Sequence, residues 1–527
     1  MIQPRTQTAT YWGSDFTLTE SDIEQIYNHL IEEERPQTAG QIARAIMAWR
    51  VAEEANRIRR LLSGRTVYQP EASYQIGDEL VFPVLGFAHG TVQEIRNGYN
   101  PQDGHFQVIK VNIEGTAREF AAELKSSHRL NVADGSSFDA LAHVDLDQLF
   151  ALYGDMVQAR VSEALEARDE FVRLGDVWFV KQLMAEVNIG HLHLAEAVLE
   201  IHEGGPLTTE EIAPQLDMDS SLDEEVLLFS LNYHLLLDDR FDEVAPKGKV
   251  AWFLRRMEPE GVLQTPPRLV YQPIPYDRAL LSPQLHLLER ELDDEWSDLE
   301  SPPGVHPVVF TLLYPHRYAG TIPFSARIRP LFPPGNSPRQ RIILIDDETG
   351  EEIVGWVVWQ ERYIYGLAEW YSKHSIPVGG FVHLKPGPEP GVVKLGYDRR
   401  RDKKEWVRLA TAVDNRIQFQ LKRRSVGCGF DDLMIVGTDT IAAIDALWRR
   451  AEAHQRSVAS LLAELFPPLA ELNPQNTVHA KTLYSALNML RRVPPGPMFA
   501  ELVRHPAFQP VGDHYWKFVP NRWQDGN

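Results

Sequence analysis

Apolar side chains along this chain repeat at helical spacing in some stretches and at strand spacing in others, and the two periods succeed each other several times. Ile23, Ile26, Tyr27 and Leu30 follow the cap-type run Thr17-Leu-Thr-Glu-Ser-Asp22, which predicts a first helix. Residues 37–46 predict a second, shorter helix, and residues 52–62, with Ala55, Ile58 and Leu62 in phase, predict a third. Residues 66–70 and 73–78 then read as a hairpin, while residues 1–16 carry neither period and read as an unstructured lead. Residues 77–96, a turn at 98–104 and a strand at 106–113 form a β stretch, and residues 138–170 are helical with an acidic exposed face.

The same alternation returns downstream. Residues 178–202 read as a packed helix, 204–216 as a short Thr-capped helix and 223–237 as the next one, with 241–246 and 250–254 as a hairpin. Residues 264–307 are Pro-rich and then acidic, the signature of an irregular connector with one short helix. In the centre, residues 341–350 and 352–359 read as strands joined by an Asp/Glu/Thr/Gly turn. A short amphipathic helix at 366–374, the turn Pro377-Val-Gly-Gly and strands at 381–384 and 391–397 follow. This layout suits a small closed barrel rather than a nucleotide-binding βαβ unit. Helices at 440–452, 457–466, 477–490 and 497–503 and a hairpin at 508–519 close the chain.

Three helices followed by a hairpin is the order of a winged helix. The expected fold class is multidomain α+β, with winged-helix-like helical modules flanking a small barrel and a central β-barrel, which the resemblances given below make SH3-like and a β-pseudobarrel. The expected boundaries are 1–75 (winged-helix-like), 76–135 (SH3-like), 136–174 (helical spacer), 175–262 (a second, acidic winged-helix-like module), 263–304 (linker), 305–430 (central barrel) and 431–527 (C-terminal winged-helix-like module). The length of 527 residues allows three or four domains at about 150 residues each. A hydrophobic fraction of 43% supplies ordinary cores for them. Cys428 is the single cysteine, which excludes an intrachain disulfide and a Cys-rich zinc site and fits a reducing compartment. Flanked by Gly427 and Gly429, it reads as a buried thiol with no base spaced to activate it. No apolar run approaches the ~20 residues of a membrane span and no signal peptide is evident, so a cytoplasmic protein without membrane contact is expected.

The formal charge of −21 changes the picture, because such a body repels phosphate as a whole. Any nucleic-acid contact must come from local basic patches, and two stand out. Arg50, Arg57, Arg59 and Arg60 lie on or beside the predicted third helix, where winged folds place base or phosphate contacts. Arg399, Arg400, Arg401, Lys403 and Lys404, with Arg423 and Arg424, form the densest basic region of the sequence, next to a β domain. The alternative reading of each is a solvated face, or an edge that keeps strands from pairing. The helix at 223–237 instead begins with Asp223, Glu224 and Glu225, so the second module reads as a protein-docking unit.

Three stretches carry resemblances. The helix, turn and strand from Tyr365 to Leu384, with Trp370, His374, Gly379 and Gly380, resembles the pseudobarrel DNA-binding domains of plant transcription factors and of some restriction-enzyme effector modules. The phrase Gly77-Asp-Glu-Leu-Val-Phe-Pro is similar to the SH3-like barrels of CarD-type RNA polymerase interaction domains. The ending Phe508-Gln-Pro-Val-Gly-Asp-His-Tyr-Trp-Lys-Phe resembles the wing of HARE-type winged helices, including that of the acidic delta subunit of bacterial RNA polymerase. These resemblances imply duplex DNA and RNA polymerase, or another protein, as partners.

Enzyme chemistry finds little support. The sequence has no phosphate-binding Gly-x-x-x-x-Gly-Lys loop, no Gly-x-Gly-x-x-Gly after a strand and no Gly-x-Ser-x-Gly elbow. His191 and His193 stand two apart, about 200 degrees round a helix at ~100 degrees per residue, so they cannot share a metal there. Asp346, Asp347, Glu348, Glu351 and Glu352 read as an acidic hairpin tip rather than a nuclease centre, since the partnering Lys is missing. No catalytic residue, metal or cofactor is expected. The expected function is a non-enzymatic, DNA-binding, transcription-related regulator. A protein-interaction scaffold on transcription or defence machinery is the first alternative, and a metal-dependent nuclease the second.

Overall fold

The computed structural model describes residues 5–524 apart from 63–64, 86, 114, 129, 132–144, 219–220, 247, 302–306, 336 and 390. The chain is a mixed α+β protein that divides into two compact units, residues 1–187 with 218–233 and residues 188–217 with 234–527. Among the described residues no helix is long and apolar enough to cross a membrane.

In the first unit, helix Glu20–Glu33 opens on a reciprocal cap in which the Thr19 N–H donates to the Asp22 carboxylate over 2.6 Å. The two-residue strand Gln37–Thr38 follows, then helix Ala39–Leu62. The two helices expected at 37–46 and 52–62 are therefore one, because Met47-Ala-Trp-Arg-Val51 between them contains no Gly or Pro to break it. The next helix among the described residues is Leu146–Glu166, capped by Asp145, and the start of the stretch expected to be helical from 138 lies outside the described residues. Hairpin Phe171–Leu174 and Val177–Val180 comes next, its second strand pairs antiparallel with Gln37–Thr38, and the helix expected from 178 therefore begins only at Ile189.

The hairpin expected at 66–78 does not form. Thr66–Val67 instead runs parallel to Glu79–Phe82, and residues 73–78 are not a strand. These strands begin a five-stranded sheet, continued antiparallel by Ala88–Asn100, Gly104–Ile113 and Thr116–Ala122, which lies in the chain between helices Ala39–Leu62 and Leu146–Glu166. Leu80, Phe82, Val92, Ile109 and Val111 form its core with Tyr68 and Tyr74. Residues 5–16 are also packed, against the expectation of an unstructured lead. Trp12 is fully buried and donates to the Thr6 carbonyl over 2.7 Å, and the Arg5 and Thr6 N–H groups donate to the Glu54 carboxylate. Three aromatic rings, Tyr11, Trp12 and Phe16, supply the apolar area that ties this segment down.

The order of helix, two-residue strand, helix, helix and hairpin recurs twice more. It runs through Ile189–Ile201, Leu207–Thr208, Thr209–Ile212, Glu224–Leu237 and the strands Phe241–Glu243 and Ala251–Leu254. It returns as Val458–Ala470, Val478–His479, Ala480–Leu490, Pro495–Arg504, Phe508–Gly512 and Tyr515–Phe518. In every case the second hairpin strand pairs with the two-residue strand. That strand also ends on the cap of the next helix: Thr38 exchanges hydrogen bonds with Gln41, Thr208 with Glu211, and His479 Nδ1 accepts from the Lys481 N–H.

Between the last two series, the second unit holds a seven-stranded sheet curled into a half-barrel. Its order is Val308–Thr311, Phe381–Pro386, Val392–Tyr397, Arg339–Asp346, Glu352–Val358, Tyr363–Tyr365 and Thr321–Pro323, with only Arg339–Asp346 and Val392–Tyr397 parallel. It is not the closed barrel expected. The two end strands have three and four residues and do not pair with each other. Ile342, Leu344, Val357, Ile364, Val382 and Leu395 line its interior with Trp370 and Tyr371.

The acidic stretch read as a connector is built into this unit. Helix Pro283–Leu292 packs on it, and Asp293, Asp294, Glu295 and Ser297 are buried. Arg492, itself buried, meets both Asp294 and Glu295, while the Tyr484 hydroxyl donates to Asp294 and His316 faces Glu295 at 3.1 Å.

Candidate nucleic-acid interface

The basic region folds as one long hairpin, Arg399–Val413 and Arg416–Cys428, closed by Asp414 and Asn415 at positive φ. Val436–Gly437 extends it to three strands, leaving Arg416–Cys428 at the sheet edge. Near the turn, Ala410, Ile417 and Phe419 pack into the core that holds Leu461 and Leu465. Val407, Leu409, Val426 and Cys428 form a second small cluster with Ile435. The rest is wet: Arg399 to Lys404 and Leu421 to Ser425 are all exposed. Residues 399–424 hold ten Arg and Lys against three Asp and Glu, in a chain whose net charge is −21.

The candidate cations are not equivalent. Arg399 pairs with Glu348, Arg400 with Asp398 at 2.7 Å and Arg424 with Asp439. Arg401, Lys403, Lys404 and Arg423 make no ion pair with any described residue. Arg423 donates to the Lys404 carbonyl over 3.1 Å and lies 5.9 Å from the centre of the Trp406 ring. Trp406 and Arg423 are directly opposed across the hairpin, as are Lys404 and Ser425, so these four share one face with Leu421. Trp406 is 61% exposed. The charge count did not single it out. The strand alternation did contain it, since buried Val407 and Leu409 force Trp406 to the opposite side.

The other basic group is differently placed. Arg50 turns inward and clamps the buried Asp22, Nε to Oδ1 at 2.7 Å. Arg57 stands 3.7 Å from Glu54, Arg59 donates to Asn56 over 3.1 Å, and Arg60 is exposed. These residues occupy the end of the second helix, not a third, which corrects the position expected of them. The third α-helix among the described residues, Leu146–Glu166, carries one basic residue, Arg160, whose guanidinium lies 5.9 Å from the Phe16 ring.

The Trp-x-x-x-His phrase has a structural explanation. Trp370 and His374, one turn apart on helix Ala368–Lys373 and its cap, both reach Asp346 Oδ2 at 2.8 Å. The Glu348 and Thr349 N–H groups donate to Oδ1. Burial raises the Asp346 pKa, but the hydrogen bonds from Thr349, Trp370 and His374 outweigh it and hold the group below the ordinary carboxylate value. The acidic hairpin tip is thus anchored through Asp346, while Asp347 meets Lys385 at 2.7 Å. Cys428 is buried, and burial pushes its thiol up to about 11, so it stays protonated near neutral pH. His191 sits in the first turn of its helix, with Nδ1 on the Asn188 N–H and Nε2 on the Asp217 carbonyl.

No family model, curated protein or solved structure matches this chain.

Proposed function

We propose that the protein is a non-enzymatic nucleic-acid-binding regulator that engages duplex DNA chiefly through the hairpin 399–428. The three recurring helical series act as winged-helix modules, the five-stranded sheet as an SH3-like barrel and the half-barrel as a pseudobarrel reader. The observation that carries this reading is the concentration on one exposed hairpin of a strongly acidic chain of four cations, Arg401, Lys403, Lys404 and Arg423, that make no ion pair with any described residue. Cations without carboxylate partners are the ones able to release counterions from phosphate. RNA polymerase or another transcription protein is the second partner under this reading.

The test is a fluorescence-anisotropy titration of the full chain with a labelled duplex at several salt concentrations. Reversing Arg401, Lys403 and Lys404 to Glu is expected to flatten the log–log salt slope by about 0.9 for each phosphate that is no longer neutralised. An unchanged slope and affinity would remove the hairpin from the interface.

A protein-docking role for the second helical series has its own support. Asp223, Glu224 and Glu225 are exposed at the start of helix Glu224–Leu237, the place a DNA-reading helix keeps basic or neutral. Such a module docks on a basic protein surface rather than on phosphate.

A further inference from the structure

Of the twelve tryptophans in this chain, eleven are buried or half-buried, and only Trp406 is mostly exposed. Leaving an indole in water forgoes the burial that its size otherwise supplies. The ring belongs to neither of the core clusters that the hairpin joins. The inward side of the strand is served by Val407 and Leu409, and the outward side needs only a solvated residue. The ring is also not isolated. Lys404 lies two residues before it on the same face, Arg423 faces it across the hairpin, and Ser425 and Leu421 complete the patch. Same-face residues two apart on a strand are about 6.6 Å apart, so a ligand lying on the ring is within reach of both cations.

An exposed aromatic face between cations that pair with no described carboxylate suits a ligand that is itself flat, aromatic and anionic. A base-paired duplex hides its base faces in the stack and offers only phosphates and groove edges to such a surface. An unpaired nucleotide offers both halves of the match, a base for the indole and a phosphate for the neighbouring charges. We infer that Trp406 is a stacking platform for an unpaired base, and that the 404–406 and 421–425 face of the hairpin takes single-stranded nucleic acid in addition to any duplex contact. The inference rests on the nucleic-acid reading above and narrows its substrate class. The charge complementarity of ten cations against three acids in residues 399–424 selects a polyanion over an acid-poor protein surface as the occupant.

The experiment uses the full-length protein, the Trp406→Ala and Trp406→Phe variants, and three labelled probes. These are a 20-nucleotide oligo(dT), a 20-base-pair duplex of mixed sequence, and a 20-unit abasic deoxyribose-phosphate strand. Base–aromatic stacking contributes about 1–3 kcal/mol, so W406A is expected to weaken oligo(dT) binding by roughly 5- to 150-fold. W406F should restore most of that loss, and duplex affinity should stay within about twofold of the parent. Wild type and W406A should bind the abasic strand equally, because it has no base to stack. Because the side chain is exposed, all three proteins should unfold at the same temperature. If W406A weakens duplex, oligo(dT) and abasic strand alike, or leaves oligo(dT) untouched while duplex binding keeps its normal salt slope, the stacking inference fails and the broader reading survives. If the wild type binds none of the three probes at low salt, both fall together.

Discussion

Arg492 meets Asp294 through both carboxylate oxygens, with Nη2 at 2.7 Å from each, although the two residues are 198 positions apart in the chain. Both are essentially without solvent exposure, and Arg492 also reaches Glu295 and donates to the Asn488 side chain over 3.0 Å. Burial raises the Asp294 carboxyl. Glu295 ends below its ordinary value, because Arg492 and His316 overcome the same burial. One guanidinium thus bridges two buried carboxyl groups inside the second unit.

Removing that guanidinium leaves two buried carboxylates facing each other. Arg492→Ala is expected to cost about 3–5 kcal/mol, the range for breaking a buried pair by deleting one partner. Asp294→Asn, which keeps Arg492 on Glu295, should cost less than half as much. Urea denaturation of the two variants beside the parent decides the point, and equal midpoints for all three would show that the network is energetically idle.

Glu243 gives a prediction with a definite sign. It is buried, one of its oxygens accepts from the Ala245 N–H over 3.1 Å, and burial pushes its pKa from 4.5 up to about 7. A folded-state value raised above the unfolded one means a contribution that is complete below pH ~4.5 and is lost as the pH climbs through 7. Glu243→Gln removes this titration. The stability of the variant relative to the parent should therefore rise by about 2–3 kcal/mol between pH 5 and pH 8. Denaturant midpoints measured in that range check it, and parallel pH profiles would refute it.

Gly379 occupies φ +91° where the half-barrel meets the segment at 430–436, and a Cβ there would stand 2.6 Å from the Ile435 Cα. The Gly379 N–H donates to the Leu312 carbonyl over 2.7 Å, and its carbonyl accepts from the Asp431 N–H over 2.9 Å, so the backbone has no freedom to withdraw. Gly379→Ala is expected to cost at least about 3 kcal/mol through strain and clash together. Gly350→Ala, at φ +72° with open space around it, should cost only about 1–2 kcal/mol from the backbone alone. Thermal unfolding of the pair separates the two effects.

Local periodicity was enough to place most helices and hairpins, because a helix cap or a two-residue turn is decided by neighbours in sequence. The Thr19 cap, the short helix bearing Trp370 and His374, and the terminal hairpin with Asp513 and His514 at positive φ were all readable in that way. The alternation that buries Val407 and exposes Trp406 was also present in the residues themselves.

What the sequence alone could not settle was every relation carried by distant pairing. Thr38 finds its strand partner at Val177, beyond an entire five-stranded sheet, so the first hairpin was sought too early in the chain. Arg50 looked as available as Arg401 until the fold brought Asp22 to the first and set no described carboxylate against the second. The acidic run at 293–297 read as part of an irregular connector because its cation, Arg492, lies at the far end of the chain. Charge and period are properties of single residues and their neighbours. Whether a charge is free or neutralised is a property of what the tertiary structure sets against it.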